Sequence, residues 1–142
     1  MLVKDVMVRD VKTIEKGSSV RDAAKMMTDF RVGSLIVTDD KKRMIGIVTE
    51  SDVLRVVAEG KSVDEKVDSV MTKKVFYVKP EDDIEDAVEI MVKNKIKKLP
   101  VITQGALVGI ITATDITAAQ PAFLEQIGHM LVFGQKQKFV AG

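Results

Sequence analysis

The chain has 142 residues, 46% hydrophobic and 30% charged, with 22 basic against 21 acidic side chains. That length fits one compact domain or two half-size units sharing a core, and the composition excludes general disorder. The absence of cysteine excludes disulfides, thiolate nucleophiles and Cys-ligated zinc, while a near-zero net charge with one tyrosine and no tryptophan argues against a dedicated nucleic-acid binder.

Taken in chain order, the predicted elements occur twice. Val6-Met7 returns as Val70-Met71, an offset of 64. A short extended lead, Val11 to Ile14, precedes the turn signal Lys16-Gly17-Ser18, and its counterpart Val75 to Val78 precedes Lys79-Pro80-Glu81. Helical spacing follows in both copies: Val20, Ala23, Ala24 and Met27, then Ile84, Ala87, Val88 and Met91. Ser18 and Asp82 are the expected N-caps, and Asp82-x-x-Glu85 has the form of a capping box. Two β-branched runs come next, Ser34–Thr38 and Met44–Thr49, matched by Leu99–Ile102 and Ala106–Thr112, each pair reading as a hairpin. One residue is lost at the second hairpin, so Gly46-Ile47-Val48-Thr49 meets Gly109-Ile110-Ile111-Thr112 at an offset of 63. A second helix is expected after Thr49 and after Thr112, and the charged stretch Glu59 to Asp68 links the copies.

The expected fold is therefore α+β: tandem β-α-β-β-α repeats at 1–60 and 61–119, followed by a tail at 120–142. A unit of this size buries too little surface alone, so the copies are expected to pack face to face with pseudo-two-fold symmetry, leaving clefts between equivalent surfaces. In the tail, Phe123, Ile127, Met130 and Leu131 follow Pro121 at the spacing of an amphipathic helix, suited to packing on its own module or on a second subunit. Gln135-Lys136-Gln137-Lys138 reads as a solvated end.

The chemical signal is the duplicated form Gly-φ-φ-Thr-x-x-Asp (φ apolar), Gly46 to Asp52 and Gly109 to Asp115, running off a strand into a helix. Unpaired N–H groups and the helix dipole favour an anion at such a start. A threonine hydroxyl can assist with a phosphate, and the aspartate can accept from the two hydroxyls of a ribose. Thr-x-x-Asp is equally a relative of the capping box, in which both side chains only satisfy backbone donors, and duplication does not choose between these readings.

The pattern as a whole resembles a cystathionine-β-synthase (CBS) domain pair, or Bateman module. The resemblance rests on Val-Met near the start of each copy, Lys98-Leu99-Pro100-Val101 and both Gly-φ-φ-Thr-x-x-Asp segments, and it spans about Leu2 to Ala119. It implies a regulatory module that takes AMP, ADP, ATP or S-adenosylmethionine in clefts between the repeats, assembles as a homodimer and acts on a separate, unidentified protein partner. By position it assigns Asp52 and Asp115 to ribose hydroxyls, Thr49 and Thr112 to the phosphate side, and Lys97 to a phosphate. Lys97 also lies within the run Lys93 to Lys98, where a solvated lysine is the ordinary reading. Lys12-Thr13 and Phe76-Tyr77 are assigned to adenine contacts in the opposite copy's site. The Asp115 site, with Thr112 and Lys97, is expected to be completed by Lys12, Thr13, Val32 and Gly33. Copy one has Gly33-Ser34-Leu35-Ile36 without the lysine pair or the proline, so either weaker phosphate binding or an empty site is expected at Asp52. A constitutive dimerisation scaffold with vestigial clefts is the alternative.

No nucleophile–base–orienter set and no P-loop appears, and His129, in the tail, reads as a surface or packing residue, so no enzyme is expected. The methionines Met27 and Met91 occupy apolar helix positions and read as core. No apolar run approaches the roughly 18–20 residues of a membrane span, and Met1-Leu2-Val3-Lys4-Asp5 does not open a signal peptide; a cytoplasmic location is expected, with no membrane partner.

Overall fold

The computed structural model describes residues 1–131, so Gln135 to Lys138 lie outside the described residues. Its elements are α1 (Val3–Val6), β1 (Thr13–Glu15), α2 (Val20–Phe30), β2 (Ser34–Thr38), β3 (Met44–Thr49), α3 (Glu50–Ala58), α4 (Ile84–Asn94), β4 (Lys98–Thr103), β5 (Ala106–Thr112), α5 (Ala113–Ala119) and a tail helix, α6, at 124–131. The fold is α+β, and both β-β-α segments lie where the sequence pattern puts them. No described helix is long and apolar enough to cross a membrane.

The contacts divide the chain into two compact units whose limits are offset from the sequence repeats. One comprises Val11–Val75 with Gln104–Leu107; the other joins Met1–Asp10 and Phe76–Thr103 to the chain from Val108 onward.

In the first of these, β1 lies parallel to β2 and β2 antiparallel to β3. Ser19 starts α2: its Oγ accepts from the Asp22 amide at 3.0 Å, and the Asp22 carboxylate accepts in return from the Ser19 amide at 3.5 Å. The expected cap, Ser18, is displaced by one residue because its carbonyl accepts from Val67 N–H at 2.8 Å, next to the bridge between Ser19 and Lys66. That bridge holds the chain extended one residue longer. Arg31, at φ +55°, ends α2, and the amides of Arg31 and Val32 both reach the Met27 carbonyl. The β2–β3 turn is organised by Asp39, which accepts from the amides of Lys41 and Arg43 at 2.9 Å each and from Arg43 Nε at 3.1 Å. These bonds, the Arg43 amide foremost, hold its carboxyl below the usual range. Ile14, Ala23, Met27, Leu35, Val37, Val48 and Val67 form the core.

In the second unit the chain's own start supplies part of the frame. The Val3 and Lys4 amides donate to the carbonyls of Asp82 and Pro80 at 2.8 and 3.0 Å, and Val8 pairs with Ile110. Val3 is thereby fully buried among Val78, Ile84, Ala87, Val88, Met91, Leu99 and Val101. The lead Val75 to Val78 forms a single parallel bridge, Val78 with Val101, rather than a strand. Asp83, not Asp82, stands at the N-cap of α4 and makes no side-chain capping bond. The Asp82 carboxylate instead accepts from Lys79 N–H at 2.9 Å, so the turn takes the group that the box with Glu85 requires. At the site of the lost residue Gln104 and Gly105, which group with the first unit, both have positive φ, which makes a tight two-residue hairpin. The tail packs on its own chain: Ile127 is buried in this core, with Phe123, Met130 and Leu131 against it.

The segments that precede the two Val-Met pairs thus serve equivalent purposes. Val3 fills one core and Val67 the other. A Cβ added to Gly109 would lie 2.8 Å from Met7 Sδ and 2.9 Å from the Val8 carbonyl oxygen. At Gly46 the same atom would lie 2.6 Å from Met71 Sδ and 2.8 Å from the Thr72 carbonyl oxygen. Real Cβ atoms do not tolerate such separations from backbone, so the first residue of each Gly-φ-φ-Thr-x-x-Asp segment is glycine to let the Val-Met segment cross it.

Candidate functional site

In the unit carrying the second repeat, β5 delivers Thr112 in extended conformation to the N-cap of α5, where its Oγ1 accepts from the Asp115 amide at 3.1 Å. The reciprocal half of the box is not made. Among the described residues the half-buried Asp115 carboxylate has no hydrogen bond or ion pair, and both of its oxygens remain available as acceptors. Ala113 N–H donates to the Lys97 carbonyl at 2.8 Å, which ties Lys97 to the start of the helix while its side chain is exposed. Phe76 and Tyr77 stand about half exposed just before the Val78 bridge to β4.

In the unit carrying the first repeat the same motif is closed. Asp52 Oδ2 accepts from the Thr49 amide at 2.9 Å and from Thr49 Oγ1 at 3.1 Å. Thr49 Oγ1 accepts in turn from the Asp52 amide at 3.3 Å, a complete capping box. Oδ1 is held by Arg55 Nη1 at 3.2 Å, and the Asp52 side chain is only 6% exposed. The Glu50 amide donates to the Gly33 carbonyl at 3.1 Å, and a Cβ on Gly33 would sit 3.6 Å from the Glu50 carboxylate carbon. Lys12 Nζ lies 4.6 Å from the centre of the Phe30 ring, Thr13 pairs with Ile36 at the start of β1, and Val32 packs against the core.

Of the predicted residues, then, Thr112, Asp115 and Lys97 share one strand-to-helix junction, and Thr49, Asp52 and Gly33 share the equivalent one. The capping reading of Thr-x-x-Asp is realised in full in the first repeat and by half in the second. Sequence reasoning missed Glu50 and Arg55. The signal was present: their counterparts are Ala113 and Ala118, two charged side chains against two methyl groups, at positions the motif itself leaves unspecified.

The family model for the CBS domain matches residues 3–59 and 67–122. The chain belongs to the CBS-domain family. Uncharacterized protein MJ1225 of Methanocaldococcus jannaschii is 29% identical over 135 residues, which is 95% of this chain and 46% of that protein, so this CBS pair spans about half the length of that relative. The CBS pair of protein MJ0100, crystallised with 5-methylthioadenosine and S-adenosyl-L-methionine, superimposes with a TM-score of 0.76 at 25% identity, covering 86% of this chain and 97% of that one. CBSX2, crystallised with AMP, gives a TM-score of 0.74 at 25% identity over the same shares.

Proposed function

We propose that this CBS pair is a regulatory sensor of an adenosine-containing ligand, AMP, ADP or ATP, rather than an enzyme, and that its second repeat carries the principal half-site. The observation that carries this reading is the half-buried, unengaged Asp115 carboxylate beside Thr112 and Lys97. Two adjacent carboxylate oxygens match the two hydroxyls of a ribose, and hydrogen bonds to an ionised acceptor are the stronger kind. Thr112 and the Lys97 ammonium suit the phosphate side. The family resemblance assigns Lys12, Thr13, Val32, Gly33, Phe76 and Tyr77 to ligand contact, and Thr49 and Asp52 to the first repeat's own half-site. That solved CBS pairs hold AMP or S-adenosyl-L-methionine supports an adenosine ligand here.

Regulation follows from differential affinity: a ligand shifts an equilibrium only by the difference in its binding to the two states. Thermal melting with millimolar AMP, ADP, ATP and S-adenosylmethionine tests the reading. A ligand present at 100 times its dissociation constant adds about 2.7 kcal/mol of stability. Absence of any shift favours the second reading, a constitutive dimerisation scaffold, for which Leu54 and Val57 on α3, 67% and 61% exposed, offer an apolar face.

A further inference from the structure

We infer that the first repeat's half-site is occupied by the protein's own side chains, Arg55 and Glu50, so that the chain takes one phosphorylated ligand, at the second repeat. This rests on the functional reading above and adds residues that the motif does not contain.

A ribose diol needs one acceptor for each of two donors. A carboxylate offers about four lone-pair positions. At Asp52 three are used, by the Thr49 amide, the Thr49 hydroxyl and Arg55 Nη1, and both oxygens are engaged. The burial of the side chain leaves little access to the fourth. At Asp115 none is used among the described residues, and Ala118 at the position of Arg55 has nothing to offer. The second difference is one of charge. Where the second repeat carries the Lys97 ammonium and the neutral Ala113, the first carries Gly33 with the Glu50 carboxylate against it. A phosphate entering there meets a like charge in place of a counter-ion, which disfavours a nucleotide more than the uncharged nucleoside. Arg55 therefore acts as a gate on the ribose side and Glu50 as a charge filter on the phosphate side.

Calorimetric titration of AMP and of adenosine into four folded proteins separates these roles: wild type, Arg55→Ala, Arg55→Met and Glu50→Ala/Arg55→Ala. Arg55→Met keeps an unbranched stem, carries no hydrogen-bond donor for Asp52 and guards against a packing artefact. The wild type is expected to bind one AMP per chain. Either Arg55 variant gains a second site that prefers adenosine to AMP by several-fold, a preference that weakens in raised salt. In the double variant that preference falls to near unity. Two equivalent AMP sites in the wild type, or a single site in every variant, overturn the inference and leave the functional reading standing. No binding by any of the four overturns the functional reading and this inference with it.

Discussion

Asp52 and Asp115 occupy the same motif position, yet one is a nearly buried capping group and the other an open acceptor. Replacing each by alanine therefore has opposite consequences. Asp52→Ala removes a side chain that accepts from Thr49 and Arg55, and loss of the box is expected to cost about 0.5–2 kcal/mol of stability while leaving nucleotide affinity nearly unchanged. Asp115→Ala is expected to leave the melting curve within about 0.5 kcal/mol of wild type, as substitutions away from buried networks do, and to abolish binding. Urea denaturation beside a binding isotherm reads both; equal loss of binding in the two variants contradicts the assignment. Gly46→Ala and Gly109→Ala drive a methyl group into Met71 or Met7 and into backbone oxygen, and each is expected to cost about 1–3 kcal/mol, read as a lower urea midpoint. The two glycines and the two Val-Met pairs were visible in the sequence as separate marks. That each glycine exists for a methionine was not, because nothing in the spacing says which segment crosses which strand.

Among elements, the hairpins and the helix faces were readable because they rest on period alone. Ser34–Thr38 and Met44–Thr49 form β2 and β3 at the expected limits, and Ile84, Ala87, Val88 and Met91 are the buried face of α4. Caps were less readable, since two adjacent candidates compete and tertiary hydrogen bonds decide. Ser18 lost to Ser19 because its carbonyl is committed to Val67. Ser19→Ala is accordingly expected to cost about 0.5–2 kcal/mol, whereas Ser18→Ala, which keeps that carbonyl, is expected to be near neutral; thermal melts of the pair distinguish them. The β2–β3 turn adds a pH dependence. The Asp39 carboxyl is depressed in the folded state, so its contribution is present above the unfolded carboxylate range and is lost as pH falls through the folded value. Asp39→Ala should lower the melting temperature at pH 7 and converge on wild type at strongly acid pH. The tail helix lies beyond the repeats, and its spacing left open what it would cover. Ile127, 1% exposed, is the anchor, and Ile127→Ala is expected to cost about 2–5 kcal/mol.

For the molecule as a whole, the duplication was the firmest signal, but a repeat read from sequence has a period and no phase. An offset of 64 is equally satisfied by units that begin at Met1 or at Val11. Burial of Val3 in one core and of Val67 in the other sets the phase, and both compact units therefore draw on chain outside the repeat that names them. The exposed Leu54 and Val57 on α3 are the apolar face that the proposed homodimer would use. If that face is an interface, Leu54→Lys/Val57→Lys lowers the mass found by light scattering to that of one chain and leaves nucleotide binding intact. The central claim is that the second repeat binds an adenosine nucleotide through Asp115, and calorimetric titration of AMP and ATP into wild type and folded Asp115→Ala tests it most directly. The account predicts saturable binding by the wild type that vanishes in the variant; undiminished binding by Asp115→Ala, or none by the wild type, would contradict it.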